Sequence, residues 1–295
     1  MKKTVVICML AVAVTGTALA DEDPFARARI GWNLPMAPFR VIGDIYYIGT
    51  AGTSAFLIST PQGFILTDGG LPESAEQIEA NIRALGFDIK NVKILLNSHA
   101  HFDHAGALAR IKRDSGARMI ASEADKPFLE KGLITFGPSV ADPFPPVTVD
   151  RTVKDGDTVM LGGVTLTAHL TPGHTPGCTS WTMPVAERGE KLNLLFFCSI
   201  TGGGNPLVDN KAYPAIADDY KATFAKLKTM DVDIFLAPHG EQFGLAKKLA
   251  AMKANAGADA SNPFIDRNEF HSFMAQQEKQ FDDTLSRQRA ATGTR

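Results

Sequence analysis

The chain has 295 residues, of which 44% are hydrophobic and 21% are charged, and its formal net charge is −2. This length suits one large domain or two small ones, and the composition is that of an ordinary soluble globular protein. The near balance of charge and the lack of a long basic stretch exclude a nucleic-acid-binding stripe. No run of like charges indicates an acidic or basic tail.

The first 20 residues have the pattern of a secretory signal peptide. A Lys-Lys pair precedes an apolar run from Val5 to Val14, and Ala18-Leu19-Ala20 forms a small-x-small cleavage site. The apolar run is well short of the roughly 20 residues that a membrane-spanning helix needs. We therefore expect cleavage between Ala20 and Asp21, a periplasmic or secreted protein of residues 21–295, and no membrane attachment after cleavage.

Residues 39–122 alternate between strand and helix patterns. The runs "RVIGDIYYIG", "SAFLIST" and "GFILTDGG" predict short strands separated by turns. A helix follows, with Ser74 as a candidate cap and with Ile78 and Ile82 on one face. "VKILL" predicts a fully buried strand, "HAGALARIKRDSG" a helix closed by Gly116, and "RMIAS" a further strand.

The second half repeats this mixture without a literal sequence repeat. Residues 132–149 are rich in Pro and Gly and predict a surface loop. "GVTLTAHL", "TSWTMPV" and "LNLLFFCSI" predict strands, and a helix, the strand "DIFLAPHG" and another helix follow. A polar helix over about 268–290 ends the chain. With no linker between the halves, we expect two α+β halves that share one core.

The stretch "NSHAHFDHAG" follows the predicted buried strand and holds three histidines and one aspartate within six positions. If the chain stays extended there, His99 and His101 point to the same side. Asp103 and His104 then fall at the start of the next helix and point elsewhere, so the cluster predicts two adjacent metal ions. Imidazoles with one carboxylate suit zinc, and three ligands with an open position are the catalytic pattern. The alternative is structural histidines with Asp103 as a helix cap, but an HxHxDH string arises by chance on the order of 10⁻⁴ times per chain.

Other polar residues outside the cluster are candidates for the same site. His174 in "TPGHTPG" and His239 in "LAPHGE" each follow a strand, where a scaffold presents functional groups. They become candidate ligands because two ions need more ligands than the cluster offers. His169 lies inside a strand pattern, which favours the core, and His271 on the polar helix favours solvent. Asp68 in "TDGG" is either a turn residue or an acceptor that supports the ligand loops.

The HxHxDH cluster, the Gly-His loop and the late Pro-His strand end resemble the metallo-β-lactamase superfamily, from Phe39 to about Ala250. The resemblance implies a single-domain α/β fold, the four-layer αβ/βα sandwich. It also implies two Zn²⁺ ions per chain, and it makes His101 and Asp103 catalytic. The implied ligands are His99, His101 and His174 for the first zinc, and Asp103, His104 and His239 for the second.

The strand end "LLFFCSIT" separates the members of this superfamily. Related thioesterases and lactonases carry a bridging aspartate there, and the first β-lactamase subclass carries a cysteine ligand. Here Ser199 stands at that point, which together with Asp103-His104 resembles the third subclass of metallo-β-lactamases. Cys198 and Ser199 face opposite ways on a strand, so a register shift of one would make Cys198 a ligand. His104 argues against this shift, because it fills the place that the cysteine would take.

This resemblance implies hydrolysis of β-lactam antibiotics by a metal-bound hydroxide, and hence antibiotic resistance. Ser199 and Thr201 would hydrogen-bond the carboxylate of the substrate. Some relatives add a tyrosine just beyond this point, where this chain offers only Asn205. Phe136 and Phe144 of the 132–149 loop could contact the apolar groups of the substrate or simply pack.

Cys178 and Cys198 remain after signal cleavage, each at the edge of a predicted strand, in a compartment where a disulfide persists. We expect them to be bonded to each other. Two other functions stay open: a dizinc hydrolase of a lactone or thioester of the glyoxalase type, and a noncatalytic zinc-binding exported protein. The expected partner is a small-molecule β-lactam, without nucleic acid, and a monomer is favoured.

Overall fold

The structure is a computed structural model and describes residues 25–202, 204–254 and 261–293. The expected signal peptide, residues 1–20, lies outside the described residues. The helices are α1 (Ala26–Trp32), α2 (Ala75–Ala84), α3 (Phe102–Ala105), α4 (Leu108–Ser115), α5 (Lys126–Lys131), α6 (Ile216–Leu227), α7 (Leu245–Ala254) and α8 (Glu269–Thr292). Short 3₁₀ helices span Pro72–Ser74, Ile89–Asn91, Pro138–Ala141 and Gly240–Phe243. Every described helix is too short or too polar to cross a bilayer.

Twelve strands form two sheets. The strands are β1 (Phe39–Ile42), β2 (Ile45–Tyr47), β3 (Phe56–Thr60), β4 (Gly63–Thr67), β5 (Val92–Leu96), β6 (Arg118–Ser122), β7 (Arg151–Val153), β8 (Thr158–Leu161), β9 (Val164–Leu170), β10 (Thr179–Glu187), β11 (Glu190–Phe196) and β12 (Ile234–Leu236). The first sheet has the order β1-β2-β3-β4-β5-β6-β7, and the second has the order β12-β11-β10-β9-β8. The pairs from β4 to β7 and the pair β11–β12 are parallel, and the others are antiparallel.

Alternation along the strands of the first sheet sorts its side chains into two layers. In β5, Ile94 and Leu96 join the large core that includes the second sheet, whereas Leu95 packs on the opposite face. Ile78 and Ile82 of α2 cover that opposite face, together with α4. This is the period-two pattern of a strand that is buried on both faces.

Helices also cover the outer face of the second sheet. Phe235 of β12 contacts Phe270 of α8 with ring centroids 5.4 Å apart, and Phe224 of α6 contacts Phe281 of α8 at 5.5 Å. The layers are therefore helices, sheet, sheet and helices. The expected four-layer αβ/βα sandwich is confirmed.

Local expectations were met with some corrections. β5 and β6 have the bounds of "VKILL" and "RMIAS", and the last helix runs from 269 to 292 instead of about 268 to 290. The single helix expected after the histidine cluster is two helices, because the Gly106 N–H donates to the Gly70 carbonyl at 2.9 Å and ties the chain to the loop after β4. Ser74 precedes α2, but its hydroxyl bonds Asn33 and the N–H of Leu71 instead of capping the helix.

The segment 132–149 is a loop with one 3₁₀ turn, as expected. Its two aromatic residues do not contact the site: Phe136 is 4% exposed and Phe144 is 5% exposed, and both belong to hydrophobic cores. Of the two possibilities open for them, packing is therefore the one that the structure supports. Helix α1 was not expected from the sequence.

Candidate metal centre and active site

Strand ends bring the six candidate ligands together at one edge of the sandwich. The cluster follows β5, with His99 and His101 in the loop and with Asp103 and His104 in α3. The other two histidines follow β9 and β12. The ligand atoms form two groups, each within 4.8 Å: the first trio of His99, His101 and His174, and the second trio of Asp103, His104 and His239.

The first trio consists of three imidazoles. The ring centroids of His99 lie 4.8 Å from His101 and 4.6 Å from His174, and His101 lies 4.6 Å from His174. His101 Nδ1 and His174 Nε2 face each other at 3.0 Å. All three residues are at least nine-tenths buried. This is a donor set that a zinc ion prefers.

The second trio is built around one carboxylate. Asp103 Oδ2 lies 3.2 Å from His104 Nε2 and 3.3 Å from His239 Nε2. The trios are neighbours, because the rings of His99 and His104 are 4.4 Å apart. The arrangement therefore suits two adjacent cations.

A buried ring nitrogen without a hydrogen-bond partner indicates whether a metal fits this site. Among the residues that the structure describes, buried His99 Nε2 and His104 Nδ1 have no hydrogen-bond partner. A buried polar atom without a partner costs free energy unless something else binds it. Metal coordination would satisfy His99 Nε2, so the residues present fit a metal centre.

Backbone carbonyls fix the orientation of two ligands. His174 Nδ1 donates to the Thr201 carbonyl at 2.8 Å, and His239 Nδ1 donates to the Gly52 carbonyl at 3.1 Å. Each bond places the proton on Nδ1 and leaves the lone pair of Nε2 directed into the site. The Tyr220 hydroxyl donates to the same Thr201 carbonyl at 2.7 Å and so supports the His174 loop.

Burial and charge act differently on the two trios. Burial holds the pKa of His99 and of His101 well below the ordinary value and lowers that of His174 to about 4. Burial would also lower the pKa of His104, but the Asp103 carboxylate outweighs it and raises that pKa. Burial would raise the pKa of Asp103, but the imidazoles of the second trio hold it well below its usual range.

Asp68 both turns the chain and supports the ligand loop. Its backbone φ is +58°, and its Oδ1 accepts the Ser98 N–H at 2.7 Å and the Asn97 amide at 2.8 Å. Ser98 immediately precedes the first ligand of the cluster. The two interpretations left open for Asp68 are therefore compatible.

Cys178 and Cys198 form a disulfide bond, as expected. Cys198 Sγ lies 3.7 Å from His99 Nδ1, behind the first trio, whereas Ser199 lines the cavity in front of the trios. The register expected for this strand end is therefore the observed one. Because both sulfur atoms are bonded to each other, they cannot act as thiolate ligands with His99.

A cavity of about 230 Å³ opens over both trios. Its lining includes Ser199 and Thr201, whose hydroxyl oxygens are 3.4 Å apart, and Ser139 of the 132–149 loop. Phe25 and Trp32, at the two ends of α1, complete the wall. The cavity has room for a small organic substrate next to the ligands.

Aromatic contacts, a cation–π contact and an ion pair hold helix α1 in place at the cavity wall. Trp32 lies over His239 with centroids 5.1 Å apart, and Phe25 contacts Phe102 at 5.3 Å. Arg29 lies over the Phe102 ring at 4.2 Å and bonds the Asp142 carboxylate at 2.6 Å. Sequence reasoning missed this helix because none of its residues is fully buried, so it has no apolar period.

Three other candidates lie away from the trios. Asn205 is buried against Gly137 and lines a separate cavity between its own loop and α8, so it does not stand in for the tyrosine of some relatives. His169 is half-buried and pairs with the Thr182 hydroxyl at 2.7 Å, so it is not the core residue that the strand pattern favoured. His271 is exposed on α8, as expected.

Comparison with known proteins agrees with this geometry. The family described as Metallo-beta-lactamase superfamily matches residues 48–239. The crystal structure of BJP-1, a subclass B3 metallo-β-lactamase of Bradyrhizobium japonicum, is 46% identical, with a TM-score of 0.84 over 90% of this chain and 99% of that chain. A metallo-β-lactamase of Cronobacter sakazakii with a HARLDQ motif is 43% identical, with a TM-score of 0.83 over 89% of this chain and 99% of that one. At residues 99–104 this chain instead reads HAHFDH.

The curated relatives match over shorter segments. A hydroxyacylglutathione hydrolase of Hyphomonas neptunium is 40% identical over 93 residues, which are 31% of this chain and 29% of that protein. The chain spans between 29% and 38% of the length of the first curated relatives it matches. The solved structures, by contrast, are matched over nearly their whole length. The chain therefore belongs to the metallo-β-lactamase superfamily and groups within it with the subclass B3 metallo-β-lactamases.

Proposed function

We propose that this protein hydrolyses the amide bond of β-lactam antibiotics with two zinc ions and so confers resistance to them. The observation that carries the proposal is the pair of adjacent trios with Ser199, a neutral residue, at the strand end beside them. The similarity to subclass B3 enzymes over almost the whole chain supports it. The resemblance in the strand-end residues supports the same substrate class.

The first trio would hold one zinc ion and the second trio the other. Zinc, when bound, supplies a Lewis acid for the lactam carbonyl and a means of activating water at neutral pH. Burial favours the neutral form of the imidazoles in the first trio, and the neutral form is the one that can bind a zinc ion. In the second trio, Asp103 supplies the negative charge that attracts a cation.

Ser199 and Thr201 would bind the carboxylate next to the ring nitrogen of the substrate. Their hydroxyls line the cavity on the side of the His174 loop, and the Thr201 carbonyl is already used by His174 and Tyr220. The two hydroxyl oxygens are 3.4 Å apart, and a bound carboxylate would replace this contact with a hydrogen bond from each hydroxyl. A hydrogen bond to a charged group contributes about 1.5–3 kcal/mol, so the pair would select for anionic substrates.

The second candidate is hydrolysis of a lactone or thioester. The match to a hydroxyacylglutathione hydrolase favours it over about a third of the chain. An aspartate at the strand end would add negative charge between the ions, whereas Ser199 adds none. A neutral lactone gains nothing from the two hydroxyls beyond an ordinary hydrogen bond, so we expect it to be a poor substrate.

A substrate panel tests the proposal. We expect the zinc-loaded protein to turn over penicillins, cephalosporins or carbapenems with a high kcat/KM, and to act weakly on a neutral lactone and a thioester. A chelator should abolish the activity and zinc should restore it, whereas a reagent that acylates active-site serines should have no effect. Comparable turnover of a neutral lactone and a penicillin would refute the proposed substrate class.

Export is the last part of the proposal. β-Lactams act outside the cytoplasm, and residues 1–20 have the pattern of a cleavable signal. We expect the mature protein in the periplasm or the medium to begin at Asp21. Intact mass measurement of the purified mature protein checks the cleavage point.

A further inference from the structure

Asp125 is a buried carboxylate that none of the metal-binding patterns includes. It stands in the turn between β6 and α5 and is 1% exposed. Burial raises the pKa of Asp125 to about 6, and the hydrogen bonds that the carboxylate accepts act in the opposite direction. An ionised carboxylate accepts hydrogen bonds on both oxygen atoms and donates none.

Three donors from two separate loops converge on this carboxylate. Asp125 Oδ2 accepts the Ala100 N–H at 2.9 Å and the Thr175 hydroxyl at 2.8 Å. Asp125 Oδ1 accepts the Gly177 N–H at 2.8 Å. All of these partners are buried, so water does not compete for the contacts.

These donors belong to the two loops that carry the first trio. Ala100 separates the two histidines that the loop after β5 contributes. Thr175 directly follows the histidine that the loop after β9 contributes. One carboxylate therefore joins the backbone of one ligand loop to the backbone and side chain of the other.

The turn that contains Asp125 is tightly packed against the loop after β9. A Cβ atom added at Gly177 would lie 2.1 Å from Ser122 Oγ and 2.4 Å from the Asp125 nitrogen. The Asp125 N–H in turn donates to Ser122 Oγ at 3.2 Å, which fixes the turn that holds the carboxylate. The loop after β9 thus lies directly against this turn.

We propose that Asp125 is a positioning residue that sets the distance between the two ligand loops and thereby the zinc affinity of the first trio. The inference rests on the proposed function, because it assumes that the first trio binds zinc. Asp125 reaches no metal-facing atom itself and acts through the backbone around His101 and His174, whose ring nitrogens face each other at 3.0 Å. Outer partners of this kind typically change metal affinity by about 10- to 100-fold when removed.

The test compares zinc affinity in four folded proteins: the wild type, Asp125→Asn, Thr175→Val and Thr175→Ser. Affinity of each site is measured by competition with a chromophoric chelator, and the ligand geometry is followed by the absorption bands of the Co²⁺-substituted protein. We expect Asp125→Asn to weaken the first site by about 10- to 100-fold and to alter its Co²⁺ bands, because an amide NH₂ replaces one acceptor. Thr175→Val should weaken it less, and Thr175→Ser, which keeps the hydroxyl, should restore wild-type affinity.

Asp150→Asn is the matched control. Asp150 Oδ2 accepts the Met119 N–H at 2.7 Å and pairs with Lys112 at 2.6 Å, on the far end of β6 from the site. This variant should lower the melting temperature without changing zinc affinity or the Co²⁺ bands. A merely structural role for Asp125 would give the same result as the control.

The outcomes separate this inference from the proposed function. Wild-type zinc affinity and unchanged Co²⁺ bands in folded Asp125→Asn would overturn the role of Asp125 and leave the proposed function standing. If Asp125→Asn does not fold, equal zinc affinity in Thr175→Val and Thr175→Ser would overturn it. If the wild type binds zinc but does not hydrolyse β-lactams, the proposed function fails while the affinity test still decides the role of Asp125. A wild type that binds no zinc at the first trio overturns both.

Discussion

The first and second trios each have three ligands, but they differ in the interactions that these ligands make with one another in the absence of a cation. The imidazoles of the first trio are kept neutral by burial, and among the described residues His99 Nε2 has no hydrogen-bond partner. The second trio already has its own ionic contacts, because Asp103 binds both of its imidazoles. The first trio is therefore complete only with a cation, whereas in the second trio a proton can partly replace one. Ligand identity alone would not reveal this difference.

Removal of a first-trio ligand should have the largest effect. We expect His101→Ala to lose one zinc ion and to lower kcat/KM on the order of 10³-fold or more, because metal polarisation of the carbonyl supplies several kcal/mol. Zinc content by elemental analysis and kinetics on a penicillin measure both effects. His271→Ala, at an exposed histidine of α8, is the control and should change neither. Retention of two zinc ions in His101→Ala would show that the first trio is wrongly assigned.

Removal of the carboxylate should damage the second trio alone. We expect Asp103→Ala to keep one zinc ion and to lose activity by about 10²-fold, since its two imidazoles then lack their shared anionic partner. The same two measurements apply, with Asp218→Asn at an exposed position of α6 as the control. Loss of both ions would mean that the trios are not separable, and the comparison above would fail.

Acidification should empty the second trio before the first. A pKa raised above the ordinary histidine value of 6.5, as in His104, means that protons begin to compete with the metal at a higher pH. A pKa lowered to about 4, as in His174, means that they compete only in stronger acid. Below the pKa of His104, second-site affinity should fall about tenfold per pH unit. Equilibrium dialysis from pH 7.5 down to 5 gives the order of release, and simultaneous loss of both ions would contradict it.

A substitution outside both trios should have the smallest effect. We expect Ser199→Ala to raise KM about tenfold for substrates that carry the carboxylate, if it removes some 1.4 kcal/mol of uniform binding. Zinc content should stay at the wild-type value, and a neutral lactone should show no change in KM. Ser272→Ala on the exposed face of α8 is the control. Loss of zinc from Ser199→Ala would make this residue a ligand.

Much of the site could be predicted because its first four ligands lie in one short stretch. An HxHxDH string after a buried strand carries its own spacing, and the extended backbone places alternate residues on one side. His174 and His239 could be proposed from their strand-end loops and from the family resemblance, but a lone histidine gives no such signal by itself. The neutral residue Ser199 was likewise interpretable only through the resemblance.

The unpredicted features depend on contacts between distant segments. Asp125 bonds residues that lie 25, 50 and 52 positions away, so no local pattern marks it. Helix α1 is held at the cavity wall by the contact between Arg29 and Asp142, which are 113 residues apart. The choice between substrate contact and packing stayed open for Phe136 and Phe144, because Pro- and Gly-rich composition predicts a loop but does not show which of its aromatic side chains face the core. Sequence periodicity indicates which residues of one helix or strand are buried. It does not indicate contacts between segments that are far apart in the sequence.

The disulfide also determines how the chain would respond to a single cut. Cys178 and Cys198 enclose the β10–β11 hairpin, whose turn at Arg188 and Gly189 is exposed. A protease that cleaves after Arg188 would produce two fragments, yet each fragment would keep one of the two cysteines. The fragments would therefore migrate as one species on a denaturing gel without reductant and as two species after reduction. Integrity of a purified sample of this protein should accordingly be judged under reducing conditions.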